Sequence, residues 1–197
     1  MFIDEETRYL PCGIVHRSLS TSKSMKHWYA LKVFYNRYAA LRATFARDGV
    51  ESYVPMKMKA YPQPNGEVVE REVPMIAMLM FFRCEEEYVQ EINQVLCEKA
   101  MIYHKPGTQV PAAIPDNEMN LFIRLTTLYS QGFEAIPYNE QLIAGGVKYR
   151  VVEGEYSGAE GYYKRVRRNR CLVVPLSNLF MIVSTGYIPQ RFLEEIG

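Results

Sequence analysis

The spacing of hydrophobic positions changes near residue 36, and this change predicts a strand followed by a helix. Trp28 to Phe34 is rich in strand-forming residues. Tyr38, Leu41 and Phe45 then recur at the spacing of one helical face. Asn36 offers a side-chain cap at the start of that helix. We therefore predict a β-strand that leads directly into an amphipathic helix.

Strand patterns and turn residues alternate in the next stretch. Glu51 to Lys59 predicts a strand, residues 62–66 form a turn cluster, and Glu67 to Val73 returns from it. Met75 to Phe82 is continuously apolar, which is typical of a strand covered on both faces. The pattern predicts a hairpin followed by a central strand.

Two more helices follow, separated by a short edge strand at residues 102–103. Three glutamates at residues 85–87 open the second helix, where carboxylates favour the positive end of the helix dipole. The third helix runs from Pro115 and Asp116 to about Leu128. The order β-α-β-β-β-α-(β)-α predicts a sheet with helices packed against it.

The C-terminal quarter has strand patterns broken by glycines. A strand-like run ends at Gly154, and Gly158 and Gly161 mark a tight segment in which a Cβ would be obstructive. Two further runs meet at Arg168 and Asn169, the predicted tip of a hairpin. Residues 146–197 carry a net charge of +3, against −2 for the remainder, so this part is the more basic.

The sequence predicts neither an enzyme nor a metal protein, and no cofactor is expected. The four cysteines include no C-x-x-C pair and the three histidines no metal motif, so reduced thiols are expected. The N-terminus lacks the basic and apolar regions of a secretory signal, and the apolar run at 74–82 is too short to span a bilayer as a helix. We expect a cytoplasmic protein with no membrane partner.

Four ordered segments and the glycine pattern resemble the NusG family. The segments are Trp28-Tyr29, Tyr53-Val-Pro55, Val73 to Phe82 and Pro111 to Glu118, and residues 146–174 resemble its KOW motif. The divergent sequence and the N-terminal extension are most similar to the UpxY group, specialised paralogues associated with capsular polysaccharide operons.

This resemblance implies an α+β fold class, with a NusG N-terminal-like α/β sandwich followed by a small SH3-like β-barrel. The implied division is a flexible extension at 1–26, the N-terminal-like domain at 27–130, a linker at 131–145 and the KOW domain at 146–197. A single continuous hydrophobic core spanning both domains would contradict it.

The resemblance further implies a transcription antitermination or elongation factor that binds the clamp helices of RNA polymerase. Pro55, Ile76, Leu79 and Phe81 match the polymerase-facing apolar patch of the family. The alternative for each of the four is an ordinary core residue. The chain has Ala77-Met78 where the family frequently has proline followed by glycine or asparagine, so the local turn differs.

Nucleic acid, as non-template DNA or nascent leader RNA, is the second implied partner. The candidate binding residues are Tyr35, Arg37, Arg42, Lys164, Arg165, Arg167 and Arg168. Solvated basic faces are the competing interpretation, and strand alternation distributes the last four between two faces.

Two other functions stay open. One is the general NusG role, which couples polymerase to Rho or to a ribosomal protein through the KOW domain. The other is an RNA-binding KOW protein without stable polymerase contact.

Overall fold

The structure is a computed structural model that describes residues 25–197, apart from residues 97, 129–132, 155, 167, 178 and 185. The elements in chain order are β1 (His27–Val33), α1 (Tyr38–Arg47), β2 (Glu51–Tyr53), β3 (Met56–Pro62), β4 (Val68–Pro74), β5 (Leu79–Cys84), α2 (Glu86–Leu96), β6 (Ala100–Ile102), β7 (Ala113–Ile114), α3 (Asp116–Leu128), β8 (Phe133–Pro137), β9 (Lys148–Val151), β10 (Glu160–Val166), β11 (Asn169–Leu176), β12 (Phe180–Ser184) and β13 (Leu193–Glu195). Short 3-10 turns lie at Glu140–Leu142 and Gln190–Phe192.

The first sheet has the strand order β2-β5-β1-β6, with β7 also paired to β1. Successive side chains of a strand point to opposite faces, so β1 and β5 supply two separate cores. One core joins the sheet to α1 and α2, where Phe45 stacks on Phe82 at 5.0 Å between ring centroids. The other core includes α3, where Phe122 lies 5.1 Å from Phe81. The predicted sheet with helices packed against it is confirmed, and its strand pairs are antiparallel.

Three local predictions are corrected. The strand expected at 51–59 is divided into β2 and β3 by the buried residues Val54 and Pro55. The strand expected from Met75 begins only at Leu79, because Met78 adopts the left-handed backbone (φ 60) and interrupts the extended run. Asn36 is not the cap of α1. Its φ is 55, and Arg37 occupies the cap position without a side-chain hydrogen bond.

The second sheet has six strands in the order β13-β9-β10-β11-β12-β8. Gly154 and Gly158 adopt left-handed φ values of 82 and 81 between β9 and β10, as the glycine pattern predicted. Val166 pairs with Asn169, so Asn169, expected at the hairpin tip, is already the first residue of β11. Over the residues that the structure describes, no pairing joins β13 to β8, so a closed barrel is not confirmed.

Part of the stretch expected as a linker belongs to this second sheet. β8 lies within residues 131–145 and pairs with β12 from Phe133↔Ser184 to Pro137↔Phe180. Phe133 is buried and its ring lies 5.1 Å from that of Tyr156. The turn residues Pro137 and Asn139 suggested a linker, but before them Phe133 is buried and the half-buried Ile136 packs against the second sheet.

One buried cluster contains residues from both sheets. Its members from the N-terminal part include Trp28, Leu79 and Phe122, and those from the C-terminal part include Leu172 and Ile182. The expectation of two separate hydrophobic cores is therefore corrected, since hydrophobic packing continues from the first sheet through α3 to the second. The boundaries of the four-part division stay a prediction, and residues 1–24 of the expected extension lie outside the described residues.

No helix in the described part of the chain is both long enough and apolar enough to cross a membrane.

Candidate functional site

The four residues proposed for a polymerase-facing patch are covered to different extents. Leu79 and Phe81 are buried, and Pro55 is buried between β2 and β3. Ile76 is half-buried and packs against the cluster that contains Leu79 and Phe81. Pro55 is joined to the same turn through its carbonyl, which accepts a hydrogen bond from the Met75 amide at 2.8 Å. The structure therefore brings this set together, with Pro55, Leu79 and Phe81 beneath the surface and Ile76 partly exposed.

Phe81 has the role of a core residue in this arrangement. Its ring packs against Phe122 of α3, and its strand neighbour Tyr53 also meets Phe122 edge-on at 6.3 Å. The Tyr53 hydroxyl and the Thr126 hydroxyl, 2.6 Å apart, add a hydrogen bond between β2 and α3. These contacts hold α3 against the sheet. Phe81 is thus beneath a helix of its own half of the chain.

Tyr35 and Met78 form an exposed rim beside Leu79, and sequence reasoning named Tyr35 as a candidate but missed Met78. Met78 is 46% exposed and Tyr35 is 83% exposed, and both have left-handed φ values, 60 and 52. The Val33 amide donates to the Met78 carbonyl at 2.7 Å, which ties the end of β1 to the start of β5. The pKa of Tyr38 is raised by burial, and hydrogen bonds with the Met78 and Leu79 backbone oppose only part of this rise. Strained backbone at two exposed apolar residues is a recurrent feature of binding sites.

The basic residues near α1 separate into two places. The Arg37 guanidinium lies 5.6 Å from the centroid of the Tyr35 ring, and both side chains are exposed. Arg42 instead lines a groove of about 310 Å³ together with Lys57 and Thr126. The Tyr35–Arg37 pair presents an aromatic face and a cation together, which is the chemistry of a stacked base next to a phosphate.

The C-terminal basic hairpin divides its charges as strand alternation predicts. Arg165 and Arg170 are directly opposite each other in the β10–β11 register, so they share one face. Lys164 lies on the other face, where its Nζ donates to the Ala144 carbonyl at 3.4 Å. Arg168 is exposed at the turn with φ 82, and Arg167 lies outside the described residues. The candidates that the structure describes therefore do not form one patch.

Direct contacts join α3 and the first sheet to the second sheet. The Glu118 carboxylate accepts hydrogen bonds from the Ser177 amide at 2.7 Å and from its hydroxyl at 2.8 Å. The Tyr103 ring meets the Phe180 ring edge-on at 5.3 Å. A groove of about 650 Å³, lined by both apolar and charged side chains, runs between α3 and the second sheet, with Arg124 in its lining.

Salt bridges stabilise the second sheet beside that groove. Glu160 meets Arg150 at 2.8 Å and Lys148 at 3.3 Å. The hydrogen bond from Arg150 is the main reason that the pKa of Glu160 lies below its ordinary value. These partners are all side chains of the sheet itself, so they maintain it without supplying catalytic chemistry.

Cysteine and metal chemistry have little support in the described part of the chain. No group of three or more His, Cys, Asp or Glu side chains there could hold a metal ion. Cys84 and Cys171 are buried free thiols, and burial raises the pKa of both. Cys12 and Cys97 lie outside the described residues. A raised pKa disfavours the reactive thiolate.

Comparison with known proteins gives one family match. Residues 26–123 match the NusG family model, described as transcription termination factor nusG. No curated protein matches the sequence. Among solved structures, the chain is similar to one described as "Domain interaction in Thermotoga maritima NusG", with 15% identity, a TM-score of 0.45, and coverage of 87% of this chain and 98% of that one. The family match spans the first sheet, the β3–β4 hairpin and most of α3, and by it the chain belongs to the NusG family of transcription factors, which are not enzymes.

Proposed function

We propose that this protein is an antitermination or elongation factor that binds RNA polymerase and suppresses pausing or premature termination of a polysaccharide biosynthesis operon. The observation that carries the proposal is the family match over residues 26–123, the part that contains the first sheet and the rim of Tyr35 and Met78. Resemblance to the UpxY group supports the choice of operon, and with it a cytoplasmic protein.

The polymerase contact centres on the start of β5. Ile76 and Met78 are accessible at its edge, and Leu79 lies directly behind them with 1% exposure. A groove that accepts a helix gains most of its affinity from a few buried apolar anchors. Leu79 reaches a clamp helix only when the residues that cover it move, while Pro55 and Phe81 support the patch from beneath.

Nucleic acid contacts extend the same surface. Tyr35 of the rim and its exposed neighbour Arg37 suit an unpaired base with its phosphate. Arg42 and the hairpin residues Lys164, Arg165, Arg167 and Arg168 are proposed as further phosphate contacts. Because Lys164 and Arg165 lie on opposite faces of the hairpin, we expect each charge to contribute separately and weakly to the affinity for nucleic acid.

We infer that strands β9–β13 form the KOW module. Support comes from the left-handed Gly154 and Gly158 between β9 and β10 and from the close backbone approach at Gly161. In the general NusG role this module would meet Rho or a ribosomal protein. In the RNA-binding alternative it would act without polymerase.

The test compares two exposed apolar residues in the full chain. Met78→Glu should weaken binding to a clamp-helix fragment by about 2 kcal/mol, or roughly thirtyfold, because an unpaired charge is placed against the partner helix. Val110→Glu is the matched control, since Val110 is 49% exposed on a different loop. Circular dichroism melts should show both variants folded.

Equal affinity of a folded Met78→Glu variant and the parent protein would remove this rim from the polymerase contact. Absence of any binding by the parent protein would favour the RNA-binding alternative. Transcript mapping in a deletion strain then separates the remaining roles. Loss of distal transcripts from one polysaccharide operon supports the specialised factor, and general changes across the genome support the housekeeping one.

A further inference from the structure

The β3–β4 hairpin forms a separate two-stranded sheet with two chemically different faces. Directly opposite residues of an antiparallel pair share a face, and alternate residues lie on opposite faces. The pairs Lys57↔Val73, Lys59↔Arg71 and Tyr61↔Val69 therefore build one face, and the pairs Met58↔Glu72 and Ala60↔Glu70 build the other. All three cations of the strands lie on the first face, here called the cationic face, and both glutamates of β4 on the second.

The cationic face holds like charges together without a neutralising carboxylate. Lys59 and Arg71 are directly opposite, an arrangement that destabilises a strand pair. Among the described residues, no acidic side chain forms a salt bridge with Lys57, Lys59 or Arg71. A two-stranded sheet is only marginally stable by itself, and this repulsion lowers its stability further. The arrangement of the charges is therefore not explained by the stability of the hairpin.

The Tyr61 ring organises these cations. The Lys59 ammonium lies 5.4 Å and the Arg71 guanidinium 5.8 Å from its centroid. Cation–π contacts of this kind are worth about 0.5–1 kcal/mol each at exposed sites, which offsets part of the repulsion and fixes where the charges lie. Tyr61 thus holds two exposed cations side by side.

We propose that the cationic face binds single-stranded nucleic acid, a contact surface distinct from the rim of Tyr35 and Met78. Lys57 and Lys59 are two residues apart on one strand, about 6.6 Å, so they form a row that suits a linear chain of phosphates. Tyr61 and the 38%-exposed Val69 add an aromatic and apolar pair on the same face. Unpaired bases can meet that pair, whereas the bases of a duplex are stacked and paired, and an acidic protein offers no bases.

Fluorescence anisotropy with a labelled single-stranded oligonucleotide of about 16 nucleotides tests this surface in the full chain without polymerase. Lys59→Gln with Arg71→Gln should weaken binding roughly tenfold and reduce the steepness of the log–log salt dependence by about 1.4, since each lost phosphate contact removes about 0.7. The melting temperature should not fall, because the substitution also removes the cross-strand repulsion.

Lys105→Gln with Arg191→Gln removes the same net charge from other exposed positions and is the matched control. Its affinity and salt dependence should change much less than those of the hairpin variant. Equal effects of the two variants would overturn the proposal, as would unchanged oligonucleotide binding by the hairpin variant. Stronger binding of the parent protein to a duplex of the same sequence would overturn the proposal in favour of duplex. If the hairpin variant lost binding to a polyglutamate peptide but not to the oligonucleotide, the result would overturn the proposal in favour of an acidic protein.

Discussion

At the scale of single residues, the sequence predicted backbone chemistry better than side-chain exposure. Gly161 was expected at a close backbone approach, and a Cβ built there would lie 2.5 Å from the Val173 carbonyl oxygen. The exposure of Leu79 and Met78 could not be read in the same way, because both lie in one apolar run and only the left-handed turn at Met78 separates a buried residue from an exposed one.

Gly161→Ala should therefore destabilise the second sheet by about 1–3 kcal/mol, since a rigid backbone atom blocks the new methyl group. Gly146→Ala is the matched control. There the nearest atoms, at 2.5 and 2.8 Å, belong to the flexible end of Lys164, which can move away, and the nearest backbone atom, the Ile143 carbonyl oxygen, is farther off at 3.0 Å. Urea unfolding measures both changes. Equal losses in the two variants would contradict the close approach at Gly161.

Cys84 should make stability depend on alkaline pH. Burial raises the pKa of its thiol from 9.0 to about 12 in the folded protein. The thiol therefore contributes stability that is fully present below pH 9 and is lost between about pH 9 and 12, because only the unfolded chain ionises there. Between pH 8 and 10.5 the parent protein should lose about 2 kcal/mol more than Cys84→Ala. Urea unfolding of both proteins at each pH measures this difference. The same pH dependence of the free energy of unfolding in the parent protein and in Cys84→Ala would show that burial does not raise the pKa of the thiol.

At the scale of elements, types and order followed from periodicity, while boundaries and lateral contacts did not. The third helix was predicted from Asp116 to about Leu128 and is observed there. Its contact with the second sheet had no sequence signal, because Glu118 also suits the positive end of a helix dipole and Ser177 lies 59 residues away. The same limit applies to β8, whose partner strand follows much later in the chain.

The Glu118–Ser177 contact should contribute measurably to stability. Ser177→Ala removes the hydroxyl donor and should cost about 1–2 kcal/mol, as a charge-assisted hydrogen bond is lost. Glu118→Gln should cost at least as much, since it weakens the bonds from both the amide and the hydroxyl. A double-mutant cycle by chemical unfolding should give a coupling energy above 0.5 kcal/mol. Additive effects would indicate that the two residues do not interact in solution.

At the scale of the whole molecule, local patterns suggested two bodies, whereas packing connects them. A chain of separate domains and a chain with one shared core have the same strand and helix periodicities. The difference arises from which apolar faces meet, and here Trp28, Phe122 and Leu172 belong to one cluster. Family resemblance supplied the sheet with packed helices of the N-terminal half. The closed barrel that it implied for the C-terminal half is not confirmed, and it did not supply the contact between the two halves.

Trp28 should report unfolding of the second sheet as well as the first. It is the single tryptophan of the chain and is buried in the shared cluster. Leu172→Ala would leave a cavity in the second sheet and should lower the free energy of unfolding by about 2–5 kcal/mol. The unfolding midpoints measured by tryptophan fluorescence and by circular dichroism should fall together. Met58→Ala on the exposed hairpin is the control. If Leu172→Ala left the fluorescence midpoint unchanged, the two halves would unfold independently.

The membership of β8 in the second sheet has a practical consequence for exchanging parts between proteins. A C-terminal piece that starts at residue 146 lacks Phe133–Pro137 and leaves the outer backbone groups of β12 without their partner strand. An unpaired strand edge invites pairing with another chain. Chimaeras that keep Phe133 with the C-terminal piece should stay monomeric, while those joined at 146 should self-associate through β12.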